Sequence, residues 1–168
     1  MAAKWRKRVR ADLPFCIAVA LMVGGGARPA SAASPCLEAS EKAAFDIRAL
    51  QSQLMVVALT CGQQDEYNVF VRRHQAVLLG AYQQLTWHFG RLHGPDGEAR
   101  RDRYITELAN LHSMGAIRQG SSFCGGGRLL FQLALAVQDP DGVVLVSSLA
   151  GAPDSYAPAA CARLDALQ

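Results

Sequence analysis

From residue 36 onward, apolar residues return at spacings of three and four. Cys36, Ser40, Ala43, Ile47, Leu50, Leu54, Val57 and Cys61 form the first such row, which is one face of an amphipathic helix. Ser34-Pro35 supplies a cap and a proline at the first helical position, and Gly62 supplies a stop. The spacing therefore predicts a helix over 36–61. Apart from Lys42, its charged residues Glu38, Glu41, Asp46 and Arg48 lie off the apolar seam.

A second helix is predicted over 65–92. Asp65 and Glu66 complement its positive N-terminal end. Val71, Leu78, Leu85 and Leu92 form a seven-residue stripe, widened by Phe70, Val77, Tyr82 and Phe89. His93-Gly94-Pro95-Asp96-Gly97 reads as a turn. A third helix starts near Asp96, carries Tyr104, Leu108, Leu111 and Gly115 inward, and ends at Gln119-Gly120-Ser121. Its run Arg100-Arg101-Asp102-Arg103 reads as a solvated face.

The stretch 123–149 fits a helix, a turn and a short second helix, with Asp139 as N-cap and Pro140 at the first helical position. Leu133, Leu135 and Val137 also alternate as in a strand, which admits a β-hairpin over 129–149 around Pro-Asp-Gly. A lone hairpin on a helical domain is marginal, so helices are preferred. The tail over 150–158 reads as loop and 159–167 as a last helical piece. The expected fold is all-α: an up-down bundle of four main helices with short C-terminal pieces. The alternative is α+β with the 129–149 hairpin.

The first 32 residues change the charge balance. Lys4, Arg6, Lys7, Arg8 and Arg10 precede an apolar stretch over 13–27, and Ala30-Ser31-Ala32 supplies small residues for cleavage. This is the pattern of a secretory signal peptide over 1–32, leaving a single helical domain over 33–168. The whole chain has 17 Lys+Arg and 14 Asp+Glu. The leader holds six of those bases and one acid, so 11 bases and 13 acids remain, a net of −2. That balance gives no signal for nucleic acid or an anionic membrane. After cleavage, no stretch is expected to span a membrane. The expected location is periplasmic or secreted.

Four cysteines follow the leader: Cys36, Cys61, Cys124 and Cys161. An even count in an exported chain reads as two disulfides. Cys36 and Cys61 stand at opposite ends of one predicted helix, roughly 37 Å apart at 1.5 Å per residue, whereas a disulfide needs Cα atoms about 5–6 Å apart. In an up-down bundle Cys61 and Cys124 meet at one end, and the C-terminal segment returns Cys161 to Cys36. The runner-up pairing, Cys36–Cys124 with Cys61–Cys161, requires another topology. In "SSFCGGGRLLF", Cys124 then anchors a disulfide. Gly125-Gly126-Gly127 lets the backbone approach a neighbouring helix. Arg128-Leu129 stands where a phosphate loop needs Lys-Ser/Thr.

Candidate chemistry is sparse. His74 and His88 lie 14 positions apart, roughly 21 Å along a helix, too far to share an ion. Each could act alone with residues of another helix, His93 and His112 included; the plainer reading is a pair of partly buried, hydrogen-bonded histidines at the edge of the core. Asp65, Glu66 and Glu107 are not spaced as an acid–base pair, and GxSxG is absent. Arg72 and Arg73 are candidates for an anionic ligand or for pairing with acids on a neighbouring helix. No catalytic set, metal site or cofactor is expected.

The stretch "VVALTCGQQDEYNVFVRRHQ", 56–75, resembles small exported proteins of alphaproteobacteria, in which a Cys closes one helix and Tyr-Asn-x-Phe opens the next. Cys61 and Tyr67-Asn68-Val69-Phe70 carry the resemblance. It implies a helical fold and an envelope location, and it brings no activity. It also suggests that Tyr67 buries its ring beside the first helix and that Asn68 bonds the loop after Cys61. The functional expectation is a non-enzymatic binding or accessory protein of the envelope, with a partner protein or small ligand. The alternative is a small hydrolase or metal-dependent enzyme using His74, His88 or Glu66. A third possibility is a structural subunit that assembles through the bundle.

Overall fold

A computed structural model describes residues 36–156, 158, 159 and 161. The predicted leader, Ser34-Pro35 and most of the 159–167 piece lie outside them. Six helices follow in order: α1 (Ala39–Cys61), α2 (Gln64–Arg73), α3 (Gln75–His93), α4 (Gly97–Gln119), α5 (Phe123–Ala136) and α6 (Pro140–Ala150). The all-α bundle is confirmed, and the hairpin is replaced by α5 and α6. Asp139 caps α6 by accepting the Gly142 N–H at 2.8 Å, with Pro140 in the first turn.

The bundle is organised around α1, which touches each of the other five helices. Phe45, Leu50, Leu54 and Val57 make it apolar on several sides and are almost fully buried. Its start differs from the expectation. Cys36 and Leu37 are not helical: the Leu37 N–H donates to the Ala159 carbonyl, and the Cys161 N–H donates to the Leu37 carbonyl, each at 2.9 Å. This backbone pairing holds the segment extended and moves the start to Ala39. Glu38 and Glu41 there form a capping box. Gly62 closes the helix in the left-handed conformation.

The predicted 65–92 helix is interrupted at His74 (φ −105°, ψ 20°). The interruption lets α2 pack on α5 while α3 packs on α4. The buried row reads Phe70, His74, Leu78, Ala81, Leu85, His88 and Phe89. Both histidines therefore occupy the core rather than its edge. On α4 the buried row is Gly97, Arg101, Tyr104, Leu108, His112 and Ala116, one position away from the expected Leu111 and Gly115. Arg101 is buried and not part of a solvated face: it bonds Thr86 at 3.1 Å and Asp102 at 2.8 Å, and lies 4.7 Å over the Tyr82 ring.

Two disulfides, Cys61–Cys124 and Cys36–Cys161, link the elements as expected. The first joins the end of α1 to the start of α5. The second ties the segment before α1 to the C-terminal segment. Of the three consecutive glycines only Gly127 serves close approach. A Cβ there would overlap the Val57 methyls, whereas one on Gly125 or Gly126 meets nothing. Gly97 has the same use in the α3–α4 contact, where its Cβ would stand 2.7 Å from the Gly90 Cα. Among the described residues no helix is long and apolar enough to cross a membrane.

Candidate functional site

The sequence-derived site residues do not converge. His74 is buried at 3 % exposure, its ring 5.2 Å from Phe70, and its Nε2 has no hydrogen-bond partner. Burial pushes its pKa below the usual histidine value, only partly opposed by the Ala134 carbonyl. Arg72 and Arg73 are exposed. Arg73 donates to the Leu135 carbonyl on α5, so it pairs with backbone rather than with an acid. Glu66 lies beside Gly62, Gln63 and Arg128 at another cleft. Asn68 is exposed and makes no side-chain bond to the loop after Cys61. Backbone closes that turn instead, with the Gln63 N–H on the Ala58 carbonyl at 3.0 Å.

His88 belongs to a buried polar cluster that spacing alone did not reveal. Its Nδ1 lies 2.9 Å from Glu41 Oε1, and its Nε2 lies 2.9 Å from the Tyr156 hydroxyl. Arg91 donates to the same Glu41 oxygen at 2.8 Å, and the Glu38 N–H donates to the other at 2.9 Å. Burial by itself would raise the Glu41 pKa. The bonds from Arg91, Glu38 and His88 together outweigh it and hold the carboxyl below its ordinary value. Glu41, ionised, accepts from Nδ1, and Nε2 pairs with the Tyr156 hydroxyl. Burial raises the Tyr156 pKa, with the Glu41 charge acting the same way and Arg91 opposing. Such a hydroxyl is a hydrogen-bond donor and a poor nucleophile. Phe45, Phe89 and Tyr104 surround the cluster with aromatic contacts at 5.1–6.0 Å. Both ring nitrogens of His88 and both oxygens of Glu41 are engaged, and the cluster joins α1, α3 and the C-terminal segment.

A second arrangement has unused capacity. A cleft of about 90 Å³ opens between α1, α2 and α4, and its polar side chains are Arg48, Gln51, Ser52 and Tyr67. Arg48 is the unusual member. Its guanidinium donates to Gln51 Oε1 and lies 5.8 Å from the centre of the Tyr82 ring. Its Nε is buried with no hydrogen-bond partner, and no carboxylate among the described residues pairs with it. Burial lowers its pKa, while Tyr104, Tyr67 and Tyr82 act in the opposite direction. The acids on either side are engaged: Asp46 holds Lys42 at 2.7 Å, and Asp154 holds the Tyr104 hydroxyl at 3.2 Å. A partly desolvated cation without a counter-ion is costly to maintain.

Ser52 adds a feature to the same wall. His112 Nε2 donates to the Pro153 carbonyl at 2.8 Å, which leaves Nδ1 to accept the Ser52 hydroxyl proton at 3.0 Å. Burial holds the His112 pKa below its usual value, with the Pro153 carbonyl opposing. The imidazole is therefore neutral at pH 7 and fixes the hydroxyl. Tyr67 is half-buried against the core as expected and lines this cleft, and its hydroxyl bonds nothing among the described residues. Sequence spacing missed Arg48 because nothing local distinguishes a lysine-like surface arginine from one that α2 and α4 later cover.

Among the described residues, no three His, Cys, Asp or Glu side chains are grouped as a metal site. No family model, curated protein or solved structure matches the chain.

Proposed function

We propose that this chain is an exported, non-catalytic binding protein of the cell envelope, with the cleft beside Arg48 as its ligand site. The observation that carries this reading is the Arg48 guanidinium, largely desolvated and facing a cleft with no carboxylate of its own. A bound anion would supply the missing counter-charge. The envelope location rests on the leader pattern of residues 1–32 and on two disulfides of the kind that persist in oxidising compartments. The resemblance of 56–75 to exported helical proteins points the same way.

The enzyme reading on His74, His88 and Glu66 has less support, because those residues lie in three separate environments and His88 has both ring nitrogens engaged. The contact that does favour chemistry is Ser52–His112, a hydroxyl on a neutral imidazole that is itself oriented by a carbonyl. Two measurements test the proposal. Native mass spectrometry of protein recovered from the periplasm should show a small acidic molecule retained by the wild type and absent from Arg48→Met. Labelling of Ser52 by a fluorophosphonate probe, lost in His112→Gln, would replace the binding reading with a hydrolytic one.

A further inference from the structure

The lining of the Arg48 cleft narrows the class of ligand. On one side are donors. Gln51 Oε1 accepts from Arg48, so the Gln51 amide turns its N–H groups away from Arg48 and keeps them free to donate. Arg48 has spare N–H groups, and the Tyr67 hydroxyl is uncommitted. The Ser52 hydroxyl is already engaged as a donor to His112 Nδ1. The rest of the lining is apolar: Met55 on α1 with Ile105, Leu108 and Ala109 on α4. One fixed positive charge with neutral donors matches one negative charge, and a planar guanidinium matches a planar carboxylate. A divalent oxyanion would leave its second charge against Met55 and Leu108. Size sets the other limit. The volume of about 90 Å³ is less than the about 150 Å³ of a cavity that holds benzene.

We infer that the cleft takes a short-chain aliphatic monocarboxylate, with its carboxylate on Arg48, Gln51 and Tyr67 and its tail among Met55, Ile105 and Leu108. This rests on the cleft being the binding site proposed above. Propionate is the probe of matching size. The tail supplies specificity through burial, and the carboxylate supplies orientation.

The experiment is a titration of the full, disulfide-intact protein with propionate, 1-propanol and inorganic phosphate at constant ionic strength, read by calorimetry and by the Arg48 Nε–H resonance. Propionate should saturate and shift that resonance, and propanol and phosphate should each bind roughly tenfold or more weakly. Arg48→Met should keep its far-UV spectrum and melting temperature while losing propionate by roughly tenfold or more. Ile105→Phe, which fills the tail space, should weaken propionate but leave formate unchanged. It serves as the second variant should Arg48→Met fail to fold. Saturable phosphate without propionate would overturn the ligand class and leave the cleft as an anion site. Equal binding of propionate and propanol, or propionate undiminished in both variants, would overturn recognition through Arg48. No binding of any probe, together with no retained acidic molecule, would remove both the ligand class and the proposed site.

Discussion

The Tyr156 hydroxyl lies 2.9 Å from His88 Nε2, and this hydrogen bond fastens the C-terminal segment to α3. The other ring nitrogen holds Glu41 at 2.9 Å, so one imidazole connects both ends of the described chain. Tyr156→Phe should therefore leave a buried ring nitrogen unsatisfied and cost about 1–3 kcal/mol. Glu41→Gln should cost more, about 2–4 kcal/mol, because donors from Glu38, His88 and Arg91 converge on its buried carboxylate. Chemical denaturation of the two variants checks the order; a larger loss for Tyr156→Phe would contradict it.

Stability should fall with acidification in two windows. His74 and His112 have pKa values lowered by burial, so the unfolded chain takes up protons first, and stability drops as pH falls below about 6.5. Glu41 has a lowered pKa through its hydrogen bonds, despite the opposing effect of burial. Its contribution is complete above about 4.3 and is lost as pH falls further. Asp154 opposes the trend. Burial raises its pKa, so the folded state binds its proton first, and acidification through that range favours folding. Urea midpoints between pH 7.5 and 3.5 should show both declines, and His112→Gln should flatten the upper one.

The consecutive glycines should separate sharply. Gly126→Ala, with open space around its Cβ, should stabilise α5 by about 0.4–1 kcal/mol. Gly127→Ala drives a methyl into Val57 and should destabilise by about 1–3 kcal/mol. Thermal melts of the two single variants decide it, and equal signs would refute the packing described for α5 on α1.

Each disulfide should contribute about 2–4 kcal/mol. The sequence separations they close are 125 and 63 residues. Cys61→Ser should lower the melting temperature and leave Cys124 as a free thiol. Cys36→Ser should in addition loosen the Leu37 pairing and raise hydrogen exchange at the Leu37 and Cys161 amides. Non-reducing peptide mapping reads the linkage directly.

The helices and the cysteine pairing were legible because both follow from one-dimensional spacing. Three- and four-residue recurrence locates a helix, and the length of α1 between them rules out a Cys36–Cys61 bond even though Cys36 itself lies before the helix. The pause at His74 was not legible, since the heptad stripe runs through it uninterrupted. Glu41 read as an off-seam charge, although its place three residues after Glu38 is the capping-box signal. Its long-range partners, His88 and Arg91, lie 47 and 50 positions away on α3. Arg101 and Arg48 read alike as polar helix residues. Arg101 finds its acids, Glu98 and Asp102, on its own helix, and the packing of α3 adds Thr86 and the Tyr82 ring, whereas the arrival of α2 encloses Arg48 without a carboxylate.

The Cys36–Cys161 bond also sets how the molecule bears load. Its two Cα atoms stand 4.9 Å apart, and everything between them forms a covalent ring. Tension applied through the flanking chain on both sides passes across that short bridge and bypasses the helices. The bundle would carry force only after reduction, when the extended pairing of Leu37 with Ala159 and Cys161 becomes the first element to be pulled. An oxidised molecule tethered at both ends should thus show no unfolding extension from residues 36–161, and a reduced one should show it in full.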